Sequence, residues 1–151
     1  MEPIDVWKDQ AQMALDLSRK VGKKTGQVFG LFSEHFTFSE LACRCCGRVY
    51  ITPGLLYLLE DIREQIRRPV VINSGYRCPS HNAAIGGKPL SQHPLGTAAD
   101  INIPRDLGAG RELLLGKIVQ CVVKWQGGYK FYGEDSFVHV DVCPTPPNRR
   151  W

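Results

Sequence analysis

Apolar residues recur every three or four positions in the segment that follows Thr52, which is the spacing of one helix face. Thr52 suits the N-cap, and Pro53 suits the first helical position. Arg67 and Arg68 place positive charge at the C-terminal end, and Pro69 stops the helix. The sequence therefore predicts an amphipathic helix whose apolar face comprises Leu55, Leu58, Leu59, Ile62 and Ile66.

Two other segments have the same spacing. The segment from Leu113 to Trp125 is predicted to be a helix, with Leu114, Ile118, Val122 and Trp125 on one face. Residues 6–21 form another amphipathic pattern, which "GKKTGQ" ends. We expect residues 1–32 to be a helix and linker whose apolar face packs on a domain formed by residues 33–151. A surface for a partner is the minor alternative.

The strand predictions rest on short apolar or alternating runs. "VVIN" is predicted to be a short buried strand, and "DINI" alternates Asp100 and Asn102 with two isoleucines. "GYKFY" and "SFVHVDV" are predicted to pair through a turn at "GED". Helices and strands joined by short connections indicate an α+β fold, a small single domain with a mainly antiparallel sheet and flanking helices.

Length and charge narrow the function classes only a little. A chain of 151 residues suits one domain, and its net charge of +4 is not concentrated in one block. This charge favours approach to an anionic partner such as a cell wall or a nucleic acid, and does not choose between them. No apolar run approaches the ~20 residues that span a membrane. "MEPIDVWKDQ" lacks the features of a signal peptide, so we expect synthesis in the cytoplasm.

Three of the six cysteines, Cys43, Cys45 and Cys46, lie together in a predicted loop. Read as C-x-C-C, the group differs from the C-x-x-C pair of structural zinc sites. Free thiols are therefore the expectation. A metal knuckle, or a redox or disulfide role with Cys78, is the minor alternative.

The polar segment "SQHPLGTAADINI" contains two candidate metal ligands, His93 and Asp100. Asp100 stands in an apolar context, where a carboxylate must be paired or must bind a cation. In "SFVHVDV", Phe137, His139 and Asp141 share the strand face opposite the three valines. Two histidines and one aspartate with an open fourth position match a catalytic zinc site. Ordinary hydrogen-bonded histidines are the alternative, and we prefer that interpretation for His35 and His81.

The combination "NSGYRCPSHN...IGG...SQHPLGTAADI" and "FVHVDV" resembles the zinc D-Ala-D-Ala carboxypeptidase family of murein peptidases. Its short phage and bacterial branch is similar over residues 33–151, from "SEHF...SELAC" to the terminal Arg-Trp. The resemblance implies the fold of that family, with Zn²⁺ bound by His93, Asp100 and His139. It also implies that Arg77 steadies the developing oxyanion, a role that suits a guanidinium. A salt bridge that fixes the loop is the alternative for Arg77.

The chain departs from its relatives at the general base. Some relatives carry H-x-H, where this chain has Phe137, and others carry E-x-x-H, where it has Ser136. Asp141 is the obvious remaining carboxylate, either as the base or as the group that holds a ligand imidazole. Glu134 and Asp135 are further candidates.

The main hypothesis is therefore a zinc-dependent peptidase, of carboxypeptidase or endopeptidase type, that hydrolyses stem or cross-bridge peptides of peptidoglycan. The missing signal peptide suits release to the cell wall in the manner of a phage lysis enzyme. We expect a monomer. The rival is a non-catalytic zinc-binding module of the same fold. A nucleic-acid partner is not expected, because no recognisable module accompanies the charge.

Overall fold

The computed structural model describes residues 33–142. The predicted helix at residues 6–21, the linker to residue 32 and the last nine residues lie outside the described part of the chain. Within it, none of the helices is long and apolar enough to cross a membrane.

Two helices precede the first strand. Helix α1, Phe38–Leu41, begins with a capping box in which Thr37 accepts the Glu40 backbone N–H and the Glu40 carboxylate accepts the Thr37 N–H. Helix α2, Pro53–Ile66, begins after Thr52 as predicted. The Thr52 hydroxyl does not cap the helix, because it donates to the Gly96 carbonyl at 3.1 Å. Thr52 therefore fastens the helix start to the segment that carries His93.

Two further helices follow. Helix α3, Pro79–Ala84, is short, and helix α4 spans Gly110–Lys124. Helix α4 begins three residues before the predicted Leu113 and ends just before Trp125. The Trp125 indole N–H donates to Asp61 of α2 at 2.9 Å, so the residue after α4 links the two long helices. Short 3-10 helices lie at His93–Leu95 and Arg105–Leu107.

The four strands form one antiparallel sheet in the order β1-β2-β4-β3. They are β1 Ile72–Ser74, β2 Ala98–Asn102, β3 Gly128–Tyr132 and β4 Phe137–Asp141. The predicted α+β class and the pairing of the last two strands are confirmed. The strand predicted at "VVIN" lies two residues later than expected: strand pairing begins only at Ile72, and Val71 is 54% exposed. Val70 is buried in the core before the strand starts, so the apolar character of Val70 reflects core packing and not strand pairing.

One face of the sheet packs on α2 and α4. The buried side chains of this core include Ile101 and Val138 from the sheet, Leu55, Leu58, Leu59 and Ile62 from α2, and Ile118 and Val122 from α4. Because strand side chains alternate between the faces, the polar residues between these apolar ones project from the opposite face. That opposite face carries Asp100, His139 and Asp141.

Candidate metal centre

Asp100 and His139 are direct partners in the pairing of β2 with β4. Their neighbours Ile101 and Val138 are partners on the core face, so strand alternation puts the carboxylate and the imidazole together on the other face. His139 Nδ1 lies 3.0 Å from Asp100 Oδ1. Both side chains are largely buried, at 6% and 8% exposed. The register of two strands thus builds half of the site.

His93 comes from the 3-10 helix His93–Leu95, just before β2. Gly96 ends that turn with φ +70°, a conformation that favours glycine. His93 Nδ1 lies 2.7 Å from the Gly75 carbonyl, which can only accept, so Nδ1 carries the proton. Nε2, which carries the lone pair whenever the ring is neutral, lies 3.2 Å from Asp100 Oδ1. His93 therefore offers a lone pair to the same point as His139 and Asp100.

One ligand atom from each of these three residues lies within 4.8 Å of the others. Ligands at the usual zinc distances in a tetrahedral site are about 3.3 Å apart. The observed separations from Asp100 Oδ1, 3.2 Å and 3.0 Å, agree with that geometry. Two imidazoles and one carboxylate are also the donor set of many catalytic zinc sites. The residues present therefore fit a zinc ion.

The charges of the three groups support one another. Burial alone would raise the pKa of Asp100, but hydrogen bonds and charge from His139 and His93 hold that pKa well below its ordinary value. Burial alone would lower the pKa of His139, but Asp100 and Asp141 together raise that pKa. The protein thus keeps Asp100 ionised and attracts positive charge to His139, whether as a proton or as a metal ion.

Arg77 and Asp141 stand on either side of this group. Arg77 Nη2 donates to Asp100 Oδ2 at 2.9 Å, and its Nε donates to Ser74 at 3.0 Å. Asp141 Oδ2 lies 3.3 Å from His139 Nε2, while its Oδ1 accepts the Gly128 backbone N–H at 3.1 Å. Each of the two outer residues therefore contacts one predicted metal ligand at the atom that faces away from the cluster.

The family model for peptidase M15 matches residues 34–141. The chain belongs to the peptidase M15 family. The matched range holds every residue of the site described above. No curated protein matches the chain. Membership of this family implies a metal-dependent peptidase, and the described residues include groups that could hold the metal.

Several other polar residues of this M15 peptidase lie outside the ligand cluster. Ser91 accepts the His93 backbone N–H at 3.3 Å, and buried Asn82 donates to the Lys88 carbonyl at 3.0 Å, so both shape the loop. His35 pairs with Glu60 at 2.6 Å, in agreement with the non-metal interpretation. Glu134 and Asp135 are exposed in the β3–β4 turn.

Two backbone groups in the site had no sequence signal. The Gly75 carbonyl orients His93, and the Gly128 N–H orients Asp141. Every residue has these groups, so only the folded chain can show which of them serve the site.

The structure has the cysteines of this loop as free thiols, as expected, and adds Cys78 to their group. Cys43 and Cys46 are separated by two residues, so the C-x-C-C segment does contain a C-x-x-C pair. Cys78 lies beside them, and its Sγ is 3.4 Å from Cys45 Sγ. These four residues form a second group whose ligand atoms all lie within 4.8 Å of one another. We call it the cysteine cluster.

Proposed function

We propose that this M15 peptidase uses zinc, held by His93, Asp100 and His139, to hydrolyse peptide bonds in peptidoglycan. One observation carries the proposal: the ligand atoms of three buried side chains lie within 4.8 Å of one another, and another group of the protein contacts each of these side chains. A surface cluster formed by chance lacks such support. Ligand imidazoles in zinc enzymes commonly donate their second N–H to a carbonyl or a carboxylate, which orients the ring.

Zinc bound at such a site supplies a Lewis acid and brings the pKa of a bound water to about 7. The chain's own residues prepare the ligands. His93 presents Nε2 because Gly75 holds the proton on Nδ1. His139 directs Nδ1 at Asp100, and its Nε2 lies 3.3 Å from Asp141 Oδ2. Asp100 stays ionised beside Arg77.

For Arg77 we propose two linked actions. Its Nη2 fixes Asp100 through the oxygen that the histidines do not contact, and its charge lies next to the ligand cluster. A fixed guanidinium at that position stabilises negative charge that develops on a substrate carbonyl oxygen. Its side chain is 14% exposed, and its Nη1 makes only a long contact, 3.5 Å, with Asn82 Oδ1.

For Asp141 the surroundings support the positioning role over the general base. The residue is 2% exposed, and its two oxygens face the Gly128 N–H and His139 Nε2. A general base must reach the attacking water, whereas Asp141 contacts His139 at Nε2, the nitrogen opposite the one that would hold the metal. We therefore assign Asp141 to orienting His139 and raising its basicity.

The substrate proposal rests on the murein-peptidase motifs and on the net charge of +4, which suits an anionic wall. The test incubates the zinc-loaded full chain with isolated sacculi and identifies released muropeptides by mass spectrometry. We expect cleavage that a chelator stops and added zinc restores. The masses of the products would distinguish carboxypeptidase from endopeptidase action.

The matched variants are His139→Ala, which removes a ligand, and His81→Ala, which lies outside both groups that could hold a metal. We expect His139→Ala to lose at least about 100-fold in rate and His81→Ala to keep it. A folded, zinc-loaded protein that releases nothing from several wall chemistries would overturn the proposal and leave the non-catalytic zinc-binding module.

A further inference from the structure

The four thiols of the cysteine cluster converge from two separate segments. Cys43, Cys45 and Cys46 lie in the loop that follows α1, and Cys78 is the N-cap residue of α3. Cys45 Sγ lies 3.5 Å from Cys43 Sγ and 3.4 Å from Cys78 Sγ. Sulfur atoms on a tetrahedral zinc ion are about 3.8 Å apart. The cluster therefore already approximates the spacing of a four-thiolate site.

The backbone around the thiols has the features of a metal-binding loop. Gly47, at φ +70°, turns the chain, and its N–H donates to the Cys43 carbonyl at 2.8 Å. The turn brings Cys46 back towards Cys43. Backbone N–H groups also donate to sulfur: that of Cys78 to Cys43 Sγ, and that of His81 to Cys78 Sγ, both at 3.4 Å. Such donors stabilise thiolates, the form that binds metal.

A disulfide explains the arrangement less well. One disulfide joins two sulfurs at about 2.04 Å, whereas here four free sulfurs all lie within 4.8 Å of one another. In this part of the chain, Cys121 is the one other free cysteine, and it belongs to the buried core of α4. Four soft ligands with no place for a substrate are typical of structural zinc.

We propose that Cys43, Cys45, Cys46 and Cys78 bind a second, structural zinc ion, separate from the site at His93, Asp100 and His139. The proposal does not depend on peptidase activity, because its ligands and its geometry are independent of the first site.

The position of this second site gives it a role. It joins the loop after α1 to the segment 75–78, where the Gly75 carbonyl holds His93 and Arg77 holds Asp100. The same two segments are joined by the Tyr76 N–H, which donates to the Leu41 carbonyl at 2.8 Å. Zinc in the cysteine cluster would therefore fix the segment that orients two of the three proposed catalytic-site ligands.

The test measures zinc per chain in the full-length protein, purified under reducing conditions, by elemental analysis. We expect two zinc ions in the wild type, one in Cys46→Ser and one in His139→Ala. Cys121→Ser is the matched control, since it removes a thiol outside the cluster, and it should keep two. With cobalt in place of zinc, thiolate-to-cobalt charge-transfer absorption should appear in the wild type and in His139→Ala, and vanish in Cys46→Ser.

If Cys46→Ser does not fold, Cys46→His supplies another zinc ligand and should retain two ions. The wild-type cobalt spectrum tests the site without any substitution. The proposal is overturned by one zinc per chain in the wild type together with no charge-transfer band. It is equally overturned by a disulfide within the cluster that persists under those reducing conditions. A wild-type protein that holds two zinc ions but does not cleave the wall would overturn the proposed function and leave this inference intact.

Discussion

Asp100 divides its two carboxylate oxygens between opposite tasks: Oδ1 faces both histidines, at 3.2 Å and 3.0 Å, and Oδ2 accepts from Arg77 at 2.9 Å. One oxygen therefore belongs to the ligand cluster, while the other is held by a fixed positive charge. This division explains how a largely buried carboxylate stays ionised and correctly oriented before any metal arrives. Arg77 and Asp141, which contact Asp100 and His139 from outside the cluster, can therefore be tested separately.

The first prediction concerns Asp141. Asp141→Asn keeps the size of the side chain but removes the carboxylate charge that lies 3.3 Å from His139 Nε2. If Asp141 positions His139, zinc affinity should fall by about 10 to 100-fold, because outer-sphere partners of metal ligands typically have that effect. Zinc affinity is measured by competition with a chelator.

The pH dependence of the rate separates the two roles of Asp141. A general base would leave zinc affinity unchanged in Asp141→Asn, and the zinc-loaded variant would lose the acidic limb of its profile of kcat/KM against pH. That combination would contradict the positioning role. Asp61→Asn, on the helical side of the core, is the matched control and should leave both quantities unchanged.

The second prediction concerns pH and zinc affinity. Asp100 and Asp141 raise the pKa of His139 in the metal-free protein, and zinc must displace a proton from that ring. Affinity should therefore fall by about tenfold per pH unit below that raised pKa, beginning at a higher pH than for an ordinary histidine. Calorimetry in buffers of different ionisation enthalpy counts the released proton.

Asp141→Asn provides the control for this pH effect. It removes one of the two causes that raise the pKa of His139, so the decline in zinc affinity should begin at a lower pH than in the wild type. Identical pH profiles for the two proteins would show that Asp141 does not act on His139.

The third prediction concerns Arg77. Arg77→Ala should lower kcat/KM by about 100 to 1,000-fold, because it removes both the partner of Asp100 and a charge beside the cluster. Arg77→Lys should recover only part of this loss, since an ammonium cannot reproduce the planar fork that reaches Ser74 and Asp100 together. Rates are measured at equal zinc content. Full activity in Arg77→Lys would contradict the proposed geometry, and Arg67→Lys, exposed at the end of α2, is the control.

The fourth prediction concerns Gly75. A Cβ atom there would lie 2.7 Å from the Leu41 carbonyl oxygen, and backbone cannot move aside as a flexible side chain can. Gly75→Ala should lower the free energy of unfolding by about 1–3 kcal/mol. It should also weaken zinc binding, because the Gly75 carbonyl orients His93.

Gly116→Ala is the matched control for Gly75. Apart from its chain neighbours and the nearby backbone of its own helix, no heavy atom lies within 4 Å of the Cβ that it would add, and the residue is inside helix α4. Its free energy of unfolding should rise by about 0.5–1 kcal/mol, as alanine is the better helix former. Urea denaturation measures both variants, and equal effects at the two positions would refute the steric argument.

The sequence by itself determined the α+β class, helix α2 and the pairing of β3 with β4, because hydrophobic periodicity and turn residues are local properties of the chain. It also identified His93, Asp100 and His139 as the candidate ligands, from residue type and motif. These three stand out because a charged or metal-binding side chain in an apolar segment needs a partner.

The tertiary structure decided which groups support those ligands. Nothing local in the sequence pairs Arg77 with Asp100, or His93 with the Gly75 carbonyl, because these partners are 23 and 18 positions apart and depend on the path of the chain. The position of strand β1, two residues later than predicted, was likewise decided by tertiary packing, since Val70 packs in the core without pairing. The cysteine cluster also depends on the path of the chain: its C-x-x-C pair is local, but only folding brings Cys78 beside Cys45, 33 positions away.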